Sequence, residues 1–344
     1  MDERVTDPET INSDEKKFDL TLRPKQLSEF VGQKKLKEIL SITIEAAKQR
    51  GEAIDHVLFY GPPGLGKTTL AYIIANELDV ELNSSSGPAI EKPGDLAGIL
   101  TNLNERDTFF IDEIHRLNHI IEEYLYPAIE DFRLEIVIDQ GPSARTLKLN
   151  LEPFTLVGAT TRAGLITSPL RSRFGLILHL DYYSTKEINK IVKRSADLLE
   201  VKIDNDGAYE IARRSRGTPR IANRLLRRVR DYAQIKGDGT VNKKMATAAL
   251  KMLEVDEMGL DEMDKKLITS IINFYNGGPV GLKTIAMAIG EDQGTIEEIY
   301  EPYLLQMGFI KRTQKGRVVT QRAYKHFDIS PKNDIPEGLF KEND

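Results

Sequence analysis

Gly61-Pro62-Pro63-Gly64-Leu65-Gly66-Lys67-Thr68 has the spacing G-x-x-x-x-G-K-T, and it lies between the apolar run Val57 to Tyr60 and the apolar segment Thr69 to Leu78. Strand, glycine loop and helix are read in that order, the context in which such a loop cradles phosphate. Glycines let successive backbone N–H groups turn toward one anion, and a helix N-terminus adds a favourable dipole. Gly64, Gly66, Lys67, Thr68 and Thr69 form the cradle, with Lys67 neutralising the β- and γ-phosphates and Thr68 supplying a hydroxyl to Mg²⁺. A second apolar run, Phe109-Phe110-Ile111, ends in Asp112-Glu113, and so delivers two carboxylates to a sheet edge. Asp112 there holds Mg²⁺ through water. Glu113 polarises an attacking water, which makes a hydrolase rather than a passive nucleotide binder. A third run, Thr155 to Gly158, ends in Ala159-Thr160-Thr161-Arg162. Thr161 is either a γ-phosphate sensor or a cap of the next turn.

Other polar groups are less defined. His115 and His119 stand four apart, the spacing of a helical zinc pair, but no third ligand lies at a recognised distance, and a solvated helix face is expected. Leu170-Arg171-Ser172-Arg173-Phe174 and Gly217-Thr218-Pro219-Arg220 each carry arginines that alone read as surface charge.

These groups need a scaffold, and the chain has one. From about Phe18 to Tyr183 short apolar runs alternate with longer mixed segments, as in parallel strands joined by crossover helices. The buried strands are expected at Val57 to Tyr60, Thr108 to Ile111, Phe154 to Gly158 and Leu176 to Leu180. After Ser184 the pattern is helical, at Thr185 to Leu199, Asp206 to Arg214, Pro219 to Lys236 and Asn242 to Leu253, which predicts a small all-helical domain over 184–254. The acidic stretch Glu254 to Asp264 leads into a third unit, 255–330. There a helix at Leu282 to Ile289, a second at Thr295 to Met307, and strands at Phe309 to Thr313 and Arg317 to Thr320 joined by Gln314-Lys315-Gly316 follow the order of a winged helix. Residues 1–17 read as a polar arm without a signal-peptide core, and 331–344 as a frayed tail.

Composition agrees. The 344 residues include 48 Lys+Arg against 53 Asp+Glu, a net charge of −5, with 40% hydrophobic residues. This is a multi-domain globular composition, neither disordered nor membrane-spanning. The absence of cysteine excludes disulfides and thiolate metal sites and fits a cytoplasmic location. An acidic total argues against nonspecific coating of nucleic acid, so any nucleic-acid surface must be local.

One such surface is evident. Lys311, Arg312, Lys315, Arg317, Arg322 and Lys325 occur with no acid between 311 and 325, whereas the preceding helix carries Glu297, Glu298 and Glu301. The wing rather than the helix is therefore expected to meet phosphates, without base readout. A solvated or protein-binding wing is the alternative. The eight arginines between 213 and 230 are read mainly as packing and interface groups. Leu134, Ile136 and Ile138, then Leu147, Leu149 and Leu151 after Gly141-Pro142, alternate as a β-hairpin with one apolar face. That face is either core or a docking site.

Taken together, the phosphate loop, Asp112-Glu113, Gly158 to Arg162, Arg173 and Gly217 to Arg220 resemble the AAA+ ATPases. Leu22-Arg23-Pro24, Phe30-Val31-Gly32-Gln33, Asp112 to Arg116, Ser168 to Gly175 and Gly308 to Arg317 resemble, within that class, the bacterial Holliday-junction branch-migration motors over about residues 20–327. The resemblance implies an α/β P-loop AAA+ domain with helices on both faces of a parallel sheet (18–183), a small helical domain and a winged-helix domain. It implies ATP as substrate with Mg²⁺, and Leu22, Arg23 and Tyr183 around adenine and ribose. Arg220 becomes a second sensor, Arg173 an arginine finger supplied across a subunit boundary, and Glu130, Asp131 and Phe132 a further nucleotide segment. A homohexamer follows, as do duplex and Holliday-junction DNA, touched by Arg312 and Arg317. A RuvA-like junction-binding protein would sit on the 134–151 hairpin, a Holliday-junction resolvase in the wider complex, and a role in recombination, repair and the SOS response is implied. A protein unfoldase is the rival class, but Ser84 to Leu100 has no pore aromatic. A clamp loader or a nucleotide-gated DNA-binding regulator is another; Glu113 speaks against the regulator and the single-chain winged helix against the loader.

Overall fold

In a computed structural model, the structure describes Thr6, residues 20–138 and residues 145–331. Most of the expected arm, the hairpin tip at Gly141-Pro142, the tail from 332 and the side chains of Ile136 and Ile138 lie outside the described residues.

Nine strands are described: β1 (Val57–Tyr60), β2 (Leu82–Ser86), β3 (Thr108–Asp112), β4 (Arg133–Ile138), β5 (Arg145–Asn150), β6 (Thr155–Thr160), β7 (Leu176–His179), β8 (Ile310–Thr313) and β9 (Gly316–Val319). Five of them form a sheet of order β2-β3-β6-β1-β7, parallel throughout. β1, β3 and β6 are buried along nearly their whole length, which explains their apolar runs, since crossover helices cover both faces of a parallel sheet. The phosphate loop leads from β1 into the helix Lys67–Leu78. β2 was not expected. Its sequence Leu-Asn-Ser-Ser-Ser is half-exposed at the sheet edge, so neither face needs the apolar residues by which a strand is recognised.

Two compact units emerge. Of the described residues, one takes 20–198 together with Gly217–Asn223; the other takes Thr6, Leu199–Arg216 and the chain from Arg224 onward. The helix Thr185–Leu198 and the start of the helix Pro219–Lys236 thus pack with the sheet. The helices Asn205–Arg214 and Lys243–Met252 belong to the second unit and begin at side-chain caps, Asp204 and Asn242.

The second unit also holds Glu262–Tyr275, capped reciprocally by Asp261 and Asp264, and Leu282–Ile289. The third helix of the winged fold departs from the regular one expected. Gln293–Thr295 continues into a π-helical turn, Ile296–Tyr300, and then Glu301–Gln306. Pro302 accounts for the widening: it has no N–H for the carbonyl of Glu298, and its ring would clash there in a regular helix. β8 and β9 pair antiparallel, with Arg312 opposite Arg317. Val280 adds a short bridge to Arg317.

Two like charges placed opposite each other repel unless something compensates them, and Glu301 does so. Its carboxylate, 1% exposed, takes Nε of Arg317 at 2.8 Å and also pairs with Arg312. Glu297 lies 3.3 Å from Arg312. Burial alone would raise the Glu301 carboxyl, but hydrogen bonds from Arg317 and Arg312 outweigh it and hold the pKa below the ordinary 4.5. A depressed carboxylate contributes stability that is fully present above 4.5 and is lost as pH falls through its folded value. Glu301→Ala is expected to destabilise the winged-helix domain by about 2–4 kcal/mol at neutral pH. It should also shrink the difference between thermal melts at pH 7 and pH 3, which calorimetry at both pH values will check.

Candidate nucleotide site

A cleft open to solvent lies at the carboxyl edge of the sheet. Leu22, Arg23, Gly64, Gly66, Lys67, Thr68, Thr69, Asp112, Glu113, Tyr183 and Arg220 all line it. Positions separated by up to 198 residues in the chain therefore meet in one place.

The Lys67 ammonium is buried and donates to the carbonyls of Gly61 at 2.7 Å and Pro62 at 2.9 Å. Burial pushes its pKa down to about 8, although Glu113 and Asp112 pull the other way. Asp112 is shifted upward, first by burial and then by the charge of Glu113, while the N–H of Glu113 donates to its Oδ1 at 3.0 Å. Glu113 itself occupies the left-handed region, φ 47°, a conformation costly for a side-chain-bearing residue and frequent at functional sites. Burial raises its pKa, but the hydrogen bond from His115 and the Lys67 ammonium bring it below the ordinary value. Lys67 and Asp112 are each pushed toward their neutral forms, while Glu113 is held ionised. A polyphosphate at Lys67 and a divalent cation at Asp112 would reverse both shifts, so these residues fit ATP and Mg²⁺.

Thr161 is drawn to this group: its hydroxyl donates to Oε2 of Glu113 at 3.3 Å. Tyr183, buried, donates to the carbonyl of Leu65 at 2.9 Å. The N–H of Arg220 reaches the Gly64 carbonyl at 3.4 Å. Two wall residues carry no motif and were missed in the sequence. Arg194, on the helix Thr185–Leu198, donates to the Leu22 carbonyl at 2.8 Å and pairs with Glu29 at 3.0 Å. Ser195 beside it donates to Asn223 at 2.7 Å. A lone arginine in a charged amphipathic helix gives no signal of its own; only the fold shows that it closes over residues 22–29.

Four expected nucleotide residues lie elsewhere. Arg173, Glu130, Asp131 and Phe132 are not among those lining the cleft. Nε of Arg173 donates to Glu130 at 3.0 Å, its second nitrogen to the Pro169 carbonyl at 2.7 Å, and its guanidinium stacks over Tyr126. Asp131 closes the helix His119–Glu130. Phe132 packs on the core beside Phe154.

The zinc pair does not form. His115 is not on a solvated face, as expected, but nearly buried, with Nδ1 2.9 Å from Oγ1 of Thr160 and 3.1 Å from Glu113. His119 is exposed and faces Glu123. No cluster of three metal-binding side chains occurs among the described residues.

The hairpin divides between its two readings. Leu134 and Leu151 are buried in the core and Leu149 packs against it, whereas Leu147 is 43% exposed. At the wing, Arg317 is 16% exposed and Arg312 47%, so Glu301 holds the first largely inside the domain and leaves half of the second outside. The arginine-rich run is chiefly structural. Arg213 and Arg214 pair with Glu210, Arg216 with Asp264 and Asp261, and Arg230 with Asp231.

A parallel sheet that carries its phosphate loop on one inner strand, and its acid pair two strands away across the threonine strand, defines the AAA+ class of P-loop ATPases. Three family models then match consecutive segments: the Holliday junction DNA helicase RuvB P-loop domain over residues 22–180, the RuvB AAA lid domain over 183–256 and the RuvB C-terminal winged helix domain over 257–328. The Holliday junction branch migration complex subunit RuvB of Salinibacter ruber is 60% identical over 309 residues, covering 90% of each chain. The solved structure of the Thermotoga maritima RuvB Holliday junction branch migration motor is 53% identical, with TM-score 0.82, over 90% of this chain and 99% of that one. A mutant of the same protein gives TM-score 0.83 at 52% identity over 92% and 99%. The chain belongs to the RuvB family of Holliday-junction branch-migration motors. No described helix is long and apolar enough to cross a membrane.

Arg194 holds the segment that bears Leu22 and Arg23. Arg194→Ala is expected to weaken binding of a fluorescent ADP analogue by roughly 10-fold, the loss of one charge-assisted contact. A titration at constant salt reads this directly.

Proposed function

We propose that the chain is an ATP-driven DNA translocase that works as a hexameric ring on duplex arms and moves a four-way junction. The placement of Arg173 carries this reading. Nothing in its own subunit brings it to the cleft it is expected to serve, and it sits half-covered on Glu130 and Tyr126, available to a neighbour. A guanidinium delivered from the next subunit meets the charge that develops on the γ-phosphoryl group, so assembly and catalysis coincide.

Within one cleft the chain's own residues divide the work. Leu22, Arg23 and Tyr183 bound the base and ribose end, and Gly64, Gly66, Lys67 and Thr69 receive the phosphates. Thr68 and Asp112 would hold Mg²⁺, which supplies charge neutralisation at the β- and γ-phosphates when bound. Glu113 orients water and Thr161 reports on the γ-phosphate end, while Arg220 approaches from the lid. Glu130, Asp131 and Phe132 stand with Arg173 and would act on the neighbouring subunit's nucleotide rather than their own. Contact with DNA falls to the wing, through Arg312 first, with Arg317 setting its charge and position from within. The exposed outer part of the 134–151 hairpin, at Leu147, suits a RuvA-like junction-binding partner, and a resolvase would join on the junction.

Steady-state ATPase assays test this. Duplex DNA should stimulate turnover. Glu113→Gln should lower kcat by about 100-fold or more, and Arg173→Ala subunits mixed with wild type should suppress more activity than their fraction. Turnover indifferent to DNA, with each variant affecting only its own share, would leave a nucleotide-gated binding module instead. Separately, Arg312→Ala should reduce the slope of log affinity against log salt for duplex DNA by about one, uniformly across sequences; fluorescence anisotropy at several salt concentrations measures it.

A further inference from the structure

Of the two oxygens of Glu113, Oε2 is held by the protein. Nδ1 of His115 lies 3.1 Å away and the Thr161 hydroxyl donates at 3.3 Å, whereas Oε1 takes no donor among the described residues. The same Nδ1 is 2.9 Å from Oγ1 of Thr160, which in turn accepts the N–H of Arg162 at 2.9 Å. An ionised carboxylate only accepts hydrogen bonds, so a proton on Nδ1 is the arrangement in which imidazole and Oε2 attract. The imidazole has little freedom to move. It is 9% exposed, stands on the short turn Ile114–Arg116 whose Ile114 is fully buried, and is matched by a Thr160 that is itself buried at the end of β6. A single ring therefore joins the acid strand β3 to the threonine strand β6 behind the cleft.

We propose that His115 is a positioning residue, which fixes Oε2 of Glu113 against the end of β6 so that Oε1 is the oxygen presented to the attacking water. This rests on the reading of Glu113 given above. The full-length chain, assayed with saturating ATP, Mg²⁺ and duplex DNA, tests it. His115→Ala should lower kcat by roughly 10–100-fold, the range found when a group that orients a reactive one is removed, with affinity for a fluorescent ADP analogue and thermal midpoint unchanged. His115→Asn places an amide nitrogen about where Nδ1 lies and should restore most of the rate. In a Glu113→Gln background, His115→Ala should cost nothing further, because the two act as one unit.

A His115→Ala rate within about twofold of wild type would overturn the proposal. So would equal losses in the Ala and Asn variants, a fall in nucleotide affinity to match kcat, or additive losses with Glu113→Gln. Wild-type turnover by Glu113→Gln alone would instead overturn the assignment of Glu113, an outcome that no result for His115→Ala can imitate.

Discussion

Tyr183 is the point at which three otherwise separate pieces of the ATPase unit are tied. Its hydroxyl donates to the phosphate loop at Leu65, its N–H to the carbonyl of Gly217 at 2.9 Å, and its ring lies against Gly32. A Cβ added at Gly32 would come within 2.8 Å of that ring, and one at Gly217 within 2.8 Å of the Tyr183 carbonyl. Both glycines also have positive φ, so two constraints converge on the same residue type. Because the phenol is buried, its pKa is driven well up, and it remains a donor under all ordinary conditions. The segment through Gly32, the phosphate loop and the turn that launches Arg220 are positioned relative to this one ring.

Against that rigid frame, the charges at the sheet edge are poorly satisfied. Among the described residues Lys67 has only carbonyls as hydrogen-bond partners, and Asp112 stands beside another carboxylate. At both groups burial outweighs the opposite charges nearby, a cost that a site selected for stability alone would avoid. Their deficits are complementary to a polyanion with its cation, which turns the binding of nucleotide into a large local relaxation. The preference for such a ligand is thus written in the unsatisfied electrostatics as much as in the shape of the loop.

The sheet, the phosphate loop and the acid pair were legible because each combines an apolar strand with a polar group at its end. The winged fold was legible in its order of elements. β2 escaped because an edge strand of serines and asparagine has no apolar face. The π turn escaped because the effect of Pro302 on a helix depends on what is free to widen. Arg194 and Ser195 carry no pattern, and their importance arises only when a lid helix folds back on residues 22–29. His115 was visible but read as part of a solvated helix face, whereas the turn after β3 sends it toward Thr160. Arg317 was read from the basic wing and the family resemblance, whereas Glu301, buried beneath it, determines how much of that charge reaches solvent.

Glu130 has a consequence that concerns selectivity rather than rate. A motor of this family works against a polyanion, and an arginine standing uncovered on its surface would be drawn to any passing phosphodiester. With Glu130 seated on it at 2.8 Å and Tyr126 beneath, the Arg173 guanidinium is already paired within its own subunit. DNA phosphates must displace a carboxylate already in place and bring no greater charge density in exchange. A triphosphate end carries more charge on fewer atoms and is fixed in position by a folded cleft. Any phosphate that approaches Arg173 therefore competes with a carboxylate already seated on it.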